Sequence, residues 1–321
     1  MMRWFVVLSV CGAIALLVAC RRDAAGTPPA APAAAPATGA PVDAAAFARQ
    51  EQAWRGARLQ RLIASDGWAS LIGLHWIDPG MHAVGSAVDN GIRLAMGPAH
   101  LGVLRAGGDG VRFEPANNVA LTLDGAPFAS PQALRTDAAE AGPSVIGFDG
   151  GKGVATVIER SGRLALRVRH ADAPSRTGFA GLDYWPADAS WRVSSRFIPH
   201  PPGTTIAIAN IIGSVEQVPN PGVLEFERGG KTHRIEALDE GEGTLFLVFA
   251  DRTNGHGSYG AGRFIDAPKP DAQGRVDIDF NQAYNPPCAF TSFATCPLPP
   301  PENRLDLAVE AGEKSYRKPH P

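Results

Sequence analysis

In the stretch Arg163-Leu164-Ala165-Leu166-Arg167-Val168-Arg169, the apolar residues Leu164, Leu166 and Val168 alternate with three arginines and Ala165. A period of two is typical of a β-strand that buries one face. The same period returns near the C-terminus, where Val276, Ile278 and Phe280 alternate with polar residues. No segment of the second half keeps a helical period for three turns. The sequence therefore predicts a mainly β protein.

Glycine and proline divide the other apolar runs into short segments. The chain has 321 residues, with 36 glycines and 28 prolines, and turn sequences such as Asp89-Asn90-Gly91 recur from residue 68 to residue 136. Short strands between regular turns are typical of β-sandwiches. We expect one helix and a β-sandwich over residues 47–138, followed by a second β-rich module, sandwich or barrel-like, over residues 139–321.

An amphipathic helix is expected before the sandwich. Asp43 is a suitable cap for its first turn, and Gly67 a suitable end. We expect its apolar side to pack on the following domain. The apolar residues fall mostly on one side and the arginines elsewhere: Phe47, Trp54, Leu59, Leu62 and Ile63 against Arg49, Arg55, Arg58 and Arg61.

The N-terminus resembles that of an exported lipoprotein. The apolar run Trp4–Ala19 is too short for a membrane-spanning helix and is typical of a signal peptide. Leu17-Val18-Ala19-Cys20 resembles a bacterial lipobox, which implies removal of residues 1–19 and lipidation of Cys20. Residues 20–46, rich in Ala and Pro, are predicted to form a tether. We expect a protein anchored to the cell envelope, on the periplasmic face of the outer membrane.

Charge and motifs argue against several function classes. Lys and Arg total 30 against 32 Asp and Glu, so the chain lacks the basic excess typical of nucleic-acid binders. The eight histidines form no closely spaced pair typical of zinc sites, and no metal or cofactor is expected. Gly255–Gly260 matches a dinucleotide-binding pattern, but Pro268 follows too soon for the helix that would hold a pyrophosphate.

The candidate site lies near the C-terminus. Asp277, Asp279 and Asn281 share one face of a predicted strand, and a proline-rich loop follows. A rigid loop beside carboxylates favours a small-ligand pocket, whereas a merely solvated strand face is the alternative. The residues expected to bind such a ligand are Arg263, Asn281, Tyr284, Asn285 and Asn303.

A hydrolase-type enzyme with its site near residues 279–303 is the second hypothesis. Its candidate catalytic residues are Cys288, Asp279 and Glu310, with Arg263 as an anion clamp. In an oxidising compartment, Cys288 and Cys296 are expected to form a disulfide, and a reactive thiol at Cys288 is the alternative. The oligomeric state stays open.

A group of arginines precedes this region, at Arg160, Arg163, Arg167 and Arg169. Guanidinium groups bind carboxylates and phosphates bidentately. The competing interpretation is the solvent-facing side of a β-hairpin, where such charges contribute little.

Several strings together resemble the family DUF1684 of bacterial and archaeal proteins, over roughly Trp54 to Lys314. The resemblance implies no catalytic or binding residue, because no activity is assigned to the family. The strings are Gly67–Trp76, Arg160–Arg163, Tyr259–Phe264, Asp279–Phe290 and Ala294–Pro299.

Residues 68–136 also resemble a forkhead-associated sandwich, through Val84-Gly85-Ser86, Asn90–Leu94 and Pro98–Gly102. That family binds phosphothreonine through an arginine and a serine, and here Ser86 and Gly97 occupy those positions. The resemblance therefore implies the sandwich without phosphopeptide binding.

Overall fold

The computed structural model describes residues 43–317, with residue 242 left out. The predicted signal peptide, the lipidation site Cys20 and most of the predicted tether lie outside this range, so they stay predictions. Within the range, none of the helices has both the length and the apolar character needed to cross a membrane.

The N-terminal helix begins at the predicted cap. Helix α1 covers Ala44–Leu62, and the Asp43 carboxylate accepts two backbone hydrogen bonds from its first turn, at 2.9 and 3.2 Å. The predicted division of its sides is wrong for Arg58, which is buried because its guanidinium pairs with Glu313. The buried residues of α1 are Phe47, Glu51, Arg58 and Leu62.

Two sheets enclose the first apolar core. One sheet has the strand order β1-β11-β10-β9-β6-β7 and the other β3-β2-β4-β5-β8. Inward-facing side chains such as Leu104, Phe113, Ile146 and Leu166 form the core. The strands are β1 (Leu71–Ile77), β2 (Gly80–Gly85), β3 (Ile92–Arg93), β4 (Gly102–Gly107), β5 (Gly110–Pro115), β6 (Thr122–Leu123), β7 (Ala126–Pro127), β8 (Gln132–Leu134), β9 (Val145–Phe148), β10 (Gly153–Arg160) and β11 (Arg163–His170).

The forkhead-associated resemblance of residues 68–136 is not borne out. These residues do not complete a sandwich, because β1 pairs with β11 and the six-stranded sheet takes three strands from beyond residue 138. The division of the chain between residues 138 and 139 stays a prediction, and strands from both sides of it share one sheet.

The second half contains a four-stranded sheet, β16-β15-β12-β19, and two hairpins, β13-β14 and β17-β18. A second core forms here, with Leu224, Phe249, Ile278 and Phe280 among its members. The mainly β prediction is confirmed. The strands are β12 (Arg192–Pro199), β13 (Thr205–Ala209), β14 (Val215–Pro219), β15 (Gly222–Arg228), β16 (Lys231–Ala237), β17 (Thr244–Phe249), β18 (Arg263–Pro268) and β19 (Arg275–Asp279).

Short helices connect these elements. Helix α2 (Pro174–Thr177) follows β11, and single 3-10 turns precede or follow several strands. They bring the Cys288 loop and Trp68 into one apolar cluster with the β17-β18 hairpin. The 3-10 turns are Trp68–Ser70, Asp149–Gly151, Ala189–Trp191, Phe280–Gln282, Pro287–Ala289 and Pro301–Asn303.

Candidate functional site

Arg263, the predicted anion clamp, is fully buried at the start of β18. Its guanidinium lies 2.8 Å from the Asp251 carboxylate and donates to the carbonyl oxygens of Val309, at 2.8 Å, and Ala311. Burial lowers the pKa of Arg263, and the Asp251 charge opposes that effect. Arg263 therefore fastens the C-terminal segment to β18, and its contact with a ligand stays a prediction.

The predicted ligand-binding asparagines are also fully buried and bind backbone groups. The Asn281 amide accepts from the Asp188 nitrogen at 3.0 Å and donates to the Asp188 carbonyl at 2.9 Å. Asn303 makes the same exchange with Glu236, at 2.6 and 3.0 Å. Asn285 donates through Nδ2 to a carbonyl of the C-terminal segment at 2.7 Å. These amides hold loops in place, and their role towards a ligand stays a prediction.

Tyr284 lies beside this network. Its hydroxyl donates to the Asp266 carboxylate at 3.1 Å, and the Arg58 guanidinium lies 4.6 Å from its ring centroid. Burial raises the pKa of Tyr284, and the Asp266 charge acts in the same direction. The phenol is therefore a neutral hydrogen-bond donor in this position.

The three candidate catalytic residues have different surroundings and, within the described residues, do not contact one another through polar groups. The Asp279 carboxylate accepts from Arg192 Nε at 2.6 Å, Glu310 is exposed, and Cys288 is bonded to Cys296 with 6.2 Å between their Cα atoms. In residues 43–317, residue 242 aside, no hydrogen bond or ion pair joins any two of the candidates. A bonded sulfur is not a nucleophilic thiolate, and the catalytic role of Cys288 stays a prediction.

Reduction of the Cys288–Cys296 disulfide is expected to lower the free energy of unfolding. The bond closes a loop of nine residues, counting both ends. In the chain-entropy model such a loop contributes roughly 2.5 kcal/mol. No proline lies inside this loop, so the measured loss is expected to be of about that size. Urea unfolding with and without reductant measures it, and peptide mapping that finds free thiols at both positions would contradict the bond.

An open cavity of about 320 Å³ lies beside this loop. Its lining includes Trp68, Arg160 and Arg167, together with Phe246, Phe264 and residues of the disulfide loop. Residues of β11 and of the β17-β18 hairpin thus line the same cavity. This cavity combines charge, aromatic surface and access from solvent.

Arg167 is the distinctive residue of the cavity. Arg167 is 8% exposed, and within the described part of the chain its Nε has no hydrogen-bond partner. Burial lowers the pKa of Arg167 to about 10, and the charges of Arg160 and Arg169 act in the same direction. The group therefore keeps its positive charge at neutral pH. Buried charges are normally paired, so an anion-binding role suits this side chain.

The other cavity groups set the local polarity. Arg160 is paired with the Asp137 carboxylate at 2.7 Å. The Arg167 guanidinium lies 5.5 Å from the Trp68 ring centroid, and the Phe246 and Phe264 rings meet edge to face at 4.9 Å. Guanidinium groups interact favourably with aromatic faces. The cavity therefore offers a cation at one end and aromatic walls.

The sequences of β10 and β11 contain one indication that the face of Arg167 is covered. Alternation alone places Arg167 on the solvent-facing side of a hairpin. However, its neighbours on the same face of the sheet include Ala165 and Ile158, which are both buried. Apolar residues on both faces of a strand indicate burial on both sides, which is what the structure shows at Arg167.

Comparison with known proteins identifies a family whose function is unknown. A family model described as a protein of unknown function, DUF1684, matches residues 177–314. The chain belongs to this family. The solution NMR structure of an uncharacterized protein from Haloarcula marismortui is similar at 32% identity, over 43% of this chain and 78% of that one, with a TM-score of 0.37. No curated protein matches. The DUF1684 match includes the disulfide loop but stops short of Trp68, Arg160 and Arg167.

Proposed function

We propose that this DUF1684 protein binds a small organic anion in the 320 Å³ cavity, with Arg167 as the charge partner. The observation that carries the proposal is the buried guanidinium of Arg167 at the wall of an open cavity. A carboxylate that meets it would form charge-assisted hydrogen bonds, which are stronger than neutral ones. The cavity volume falls at the lower end of the range of small-molecule sites.

Calorimetry with the purified protein tests this proposal. Benzoate, phosphate and sulfate serve as probes, and at least one is expected to bind. Arg167→Met is expected to abolish that binding. Arg163→Met is the matched control, because Arg163 lies on the same strand face but is exposed and stacks on Trp76 at 4.1 Å. Equal loss in both variants, or binding retained by Arg167→Met, would contradict the assignment.

We further propose that a lipid at Cys20 holds this binding module at the cell envelope, facing the periplasm from the outer membrane. The lipobox-like string and the Ala/Pro-rich segment after it support this proposal. Two or more acyl chains give stable anchoring, whereas a single chain does not. Cys20→Ser is expected to move the protein from the membrane fraction to the soluble fraction. An unchanged distribution on a fractionation blot would count against lipidation.

A further inference from the structure

We infer that the anion taken up at Arg167 is an aromatic monocarboxylate, with its carboxylate on the guanidinium and its ring against Trp68 and Phe246. The inference rests on the proposed function and names the ligand class of the same cavity. Three features of the cavity support it: the net charge of its walls, the shape of the guanidinium and the nature of the apolar surface.

The charges around the cavity favour a single negative charge. Arg160 already pairs with Asp137, and the Glu240 carboxylate is part of the lining. The positive charge of Arg167 is thus the main one on offer to a ligand. A phosphate monoester carries between one and a half and two negative charges at neutral pH, which is more than the single charge of Arg167 would balance. A monoanion matches the cavity better.

The guanidinium favours a planar anion. Its donors lie in one plane and match the two oxygens of a carboxylate in a bidentate pair. The Nε of Arg167 is buried and has no hydrogen-bond partner in the described part of the chain. A carboxylate that engages Nε and one terminal nitrogen would satisfy this donor. Burial of an unpaired guanidinium charge costs free energy, which is why the pKa of Arg167 is lowered. Pairing with a carboxylate would offset that cost.

The apolar surface favours a ring. Trp68 and Phe246 are both half-buried, so part of each ring is open towards the cavity that they line. Phe264 also lines the cavity, and its ring meets the Phe246 ring edge to face. Aromatic groups prefer offset-stacked or edge-to-face neighbours, which an incoming ring would find here. An alkyl chain of similar size would lack these contacts.

Calorimetry with four probes tests the ligand class on the full chain: phenylacetate, hexanoate, acetate and phenyl phosphate. Phenylacetate is expected to bind about 3- to 10-fold more tightly than hexanoate, from aromatic contacts alone. Acetate, which lacks a ring, and phenyl phosphate, which carries more charge, are both expected to bind more weakly than phenylacetate.

Two variants separate the ring contact from a general loss of structure. Phe246→Leu keeps an apolar side chain and is expected to weaken phenylacetate about 3- to 10-fold while leaving acetate unchanged. Phe197→Leu is the control, because Phe197 is a half-buried ring that packs on the second core, away from the cavity lining. Near-ultraviolet circular dichroism confirms that both variants are folded.

The outcomes distinguish the two proposals. Hexanoate or phenyl phosphate binding as tightly as phenylacetate, with dependence on Arg167, would overturn the ligand class and leave the anion-binding function in place. Equal effects of Phe246→Leu and Phe197→Leu on phenylacetate would also overturn it. Absence of binding by all four probes, and by benzoate, phosphate and sulfate, would overturn both proposals.

Discussion

Asp251→Asn is expected to lower the free energy of unfolding by about 3–5 kcal/mol, the typical cost of removing one partner of a buried ion pair. Asp251 and Arg263 have side chains with no exposed surface, and their charged groups lie 2.8 Å apart. The substitution keeps the size of the side chain but leaves the Arg263 charge without its carboxylate. An uncompensated charge in the interior is the main source of the loss.

Asp251 also satisfies groups other than Arg263. Its Oδ1 accepts from the Thr253 nitrogen at 2.8 Å, from the Thr253 hydroxyl at 2.6 Å and from the Val309 nitrogen at 3.2 Å. The carboxylate therefore joins the segment after β17 to the C-terminal segment. Because these donors are buried as well, replacing the pair by two apolar residues is expected to be destabilising too.

Urea unfolding followed by circular dichroism measures this effect. Asp172→Asn is the matched control, since it removes a carboxylate that pairs with Lys152 at 2.9 Å on the surface. Solvent screens that pair, so little change is expected. A loss for Asp251→Asn no larger than that for Asp172→Asn would contradict the central role of the buried pair.

The strands and the helix cap are predictable because they depend on neighbouring residues. A β-strand turns alternate side chains to opposite faces, so the pattern of Val276 and Ile278 predicts their burial, and both are buried in the second core. Asp43 likewise caps the turn that immediately follows it. Such features need no information from distant parts of the chain.

Buried charges are not predictable in the same way. Periodicity assigns Arg58 to the solvent side of α1, but its partner Glu313 lies 255 residues later in the sequence. The Arg263 partners at residues 309 and 311 are also distant. An isolated arginine predicts exposure, and only a partner brought near by the fold makes its burial favourable.

The candidate cavity is only partly predictable from the sequence, for a related reason. The arginines of β11 are recognisable as a possible anion site, yet alternation alone assigns them to the solvent face of a hairpin. That face is covered by elements some 80 to 130 residues further along, including Phe246 and the disulfide loop. Ala165 and Ile158 indicate that this face is covered, but the elements that cover it are set by tertiary packing, which the local pattern does not contain.

Arg167→Met is expected to raise the free energy of unfolding of the ligand-free protein by about 1–3 kcal/mol, while it abolishes anion binding. Methionine is similar in length and apolar, so it fills the space beside Trp68 without placing a charge in the interior. Removing a charge whose burial lowers its pKa to about 10 relieves the cost of that burial. A binding residue that is costly without its ligand is a common compromise between stability and function.

The order of stability of the two proteins is expected to reverse when ligand is present. At a ligand concentration of about 1,000 times the dissociation constant, binding stabilises the native chain by about 4.1 kcal/mol, which exceeds the gain from the substitution, and leaves Arg167→Met unchanged. Urea unfolding of both proteins, with and without phenylacetate, measures this reversal. Arg163→Met removes an exposed guanidinium on the same strand. Its free energy of unfolding is expected to match that of the native chain with and without phenylacetate. If ligand-free Arg167→Met is less stable than the native chain, Arg167 stabilises the fold. That result would contradict an anion site that lowers the stability of the ligand-free protein.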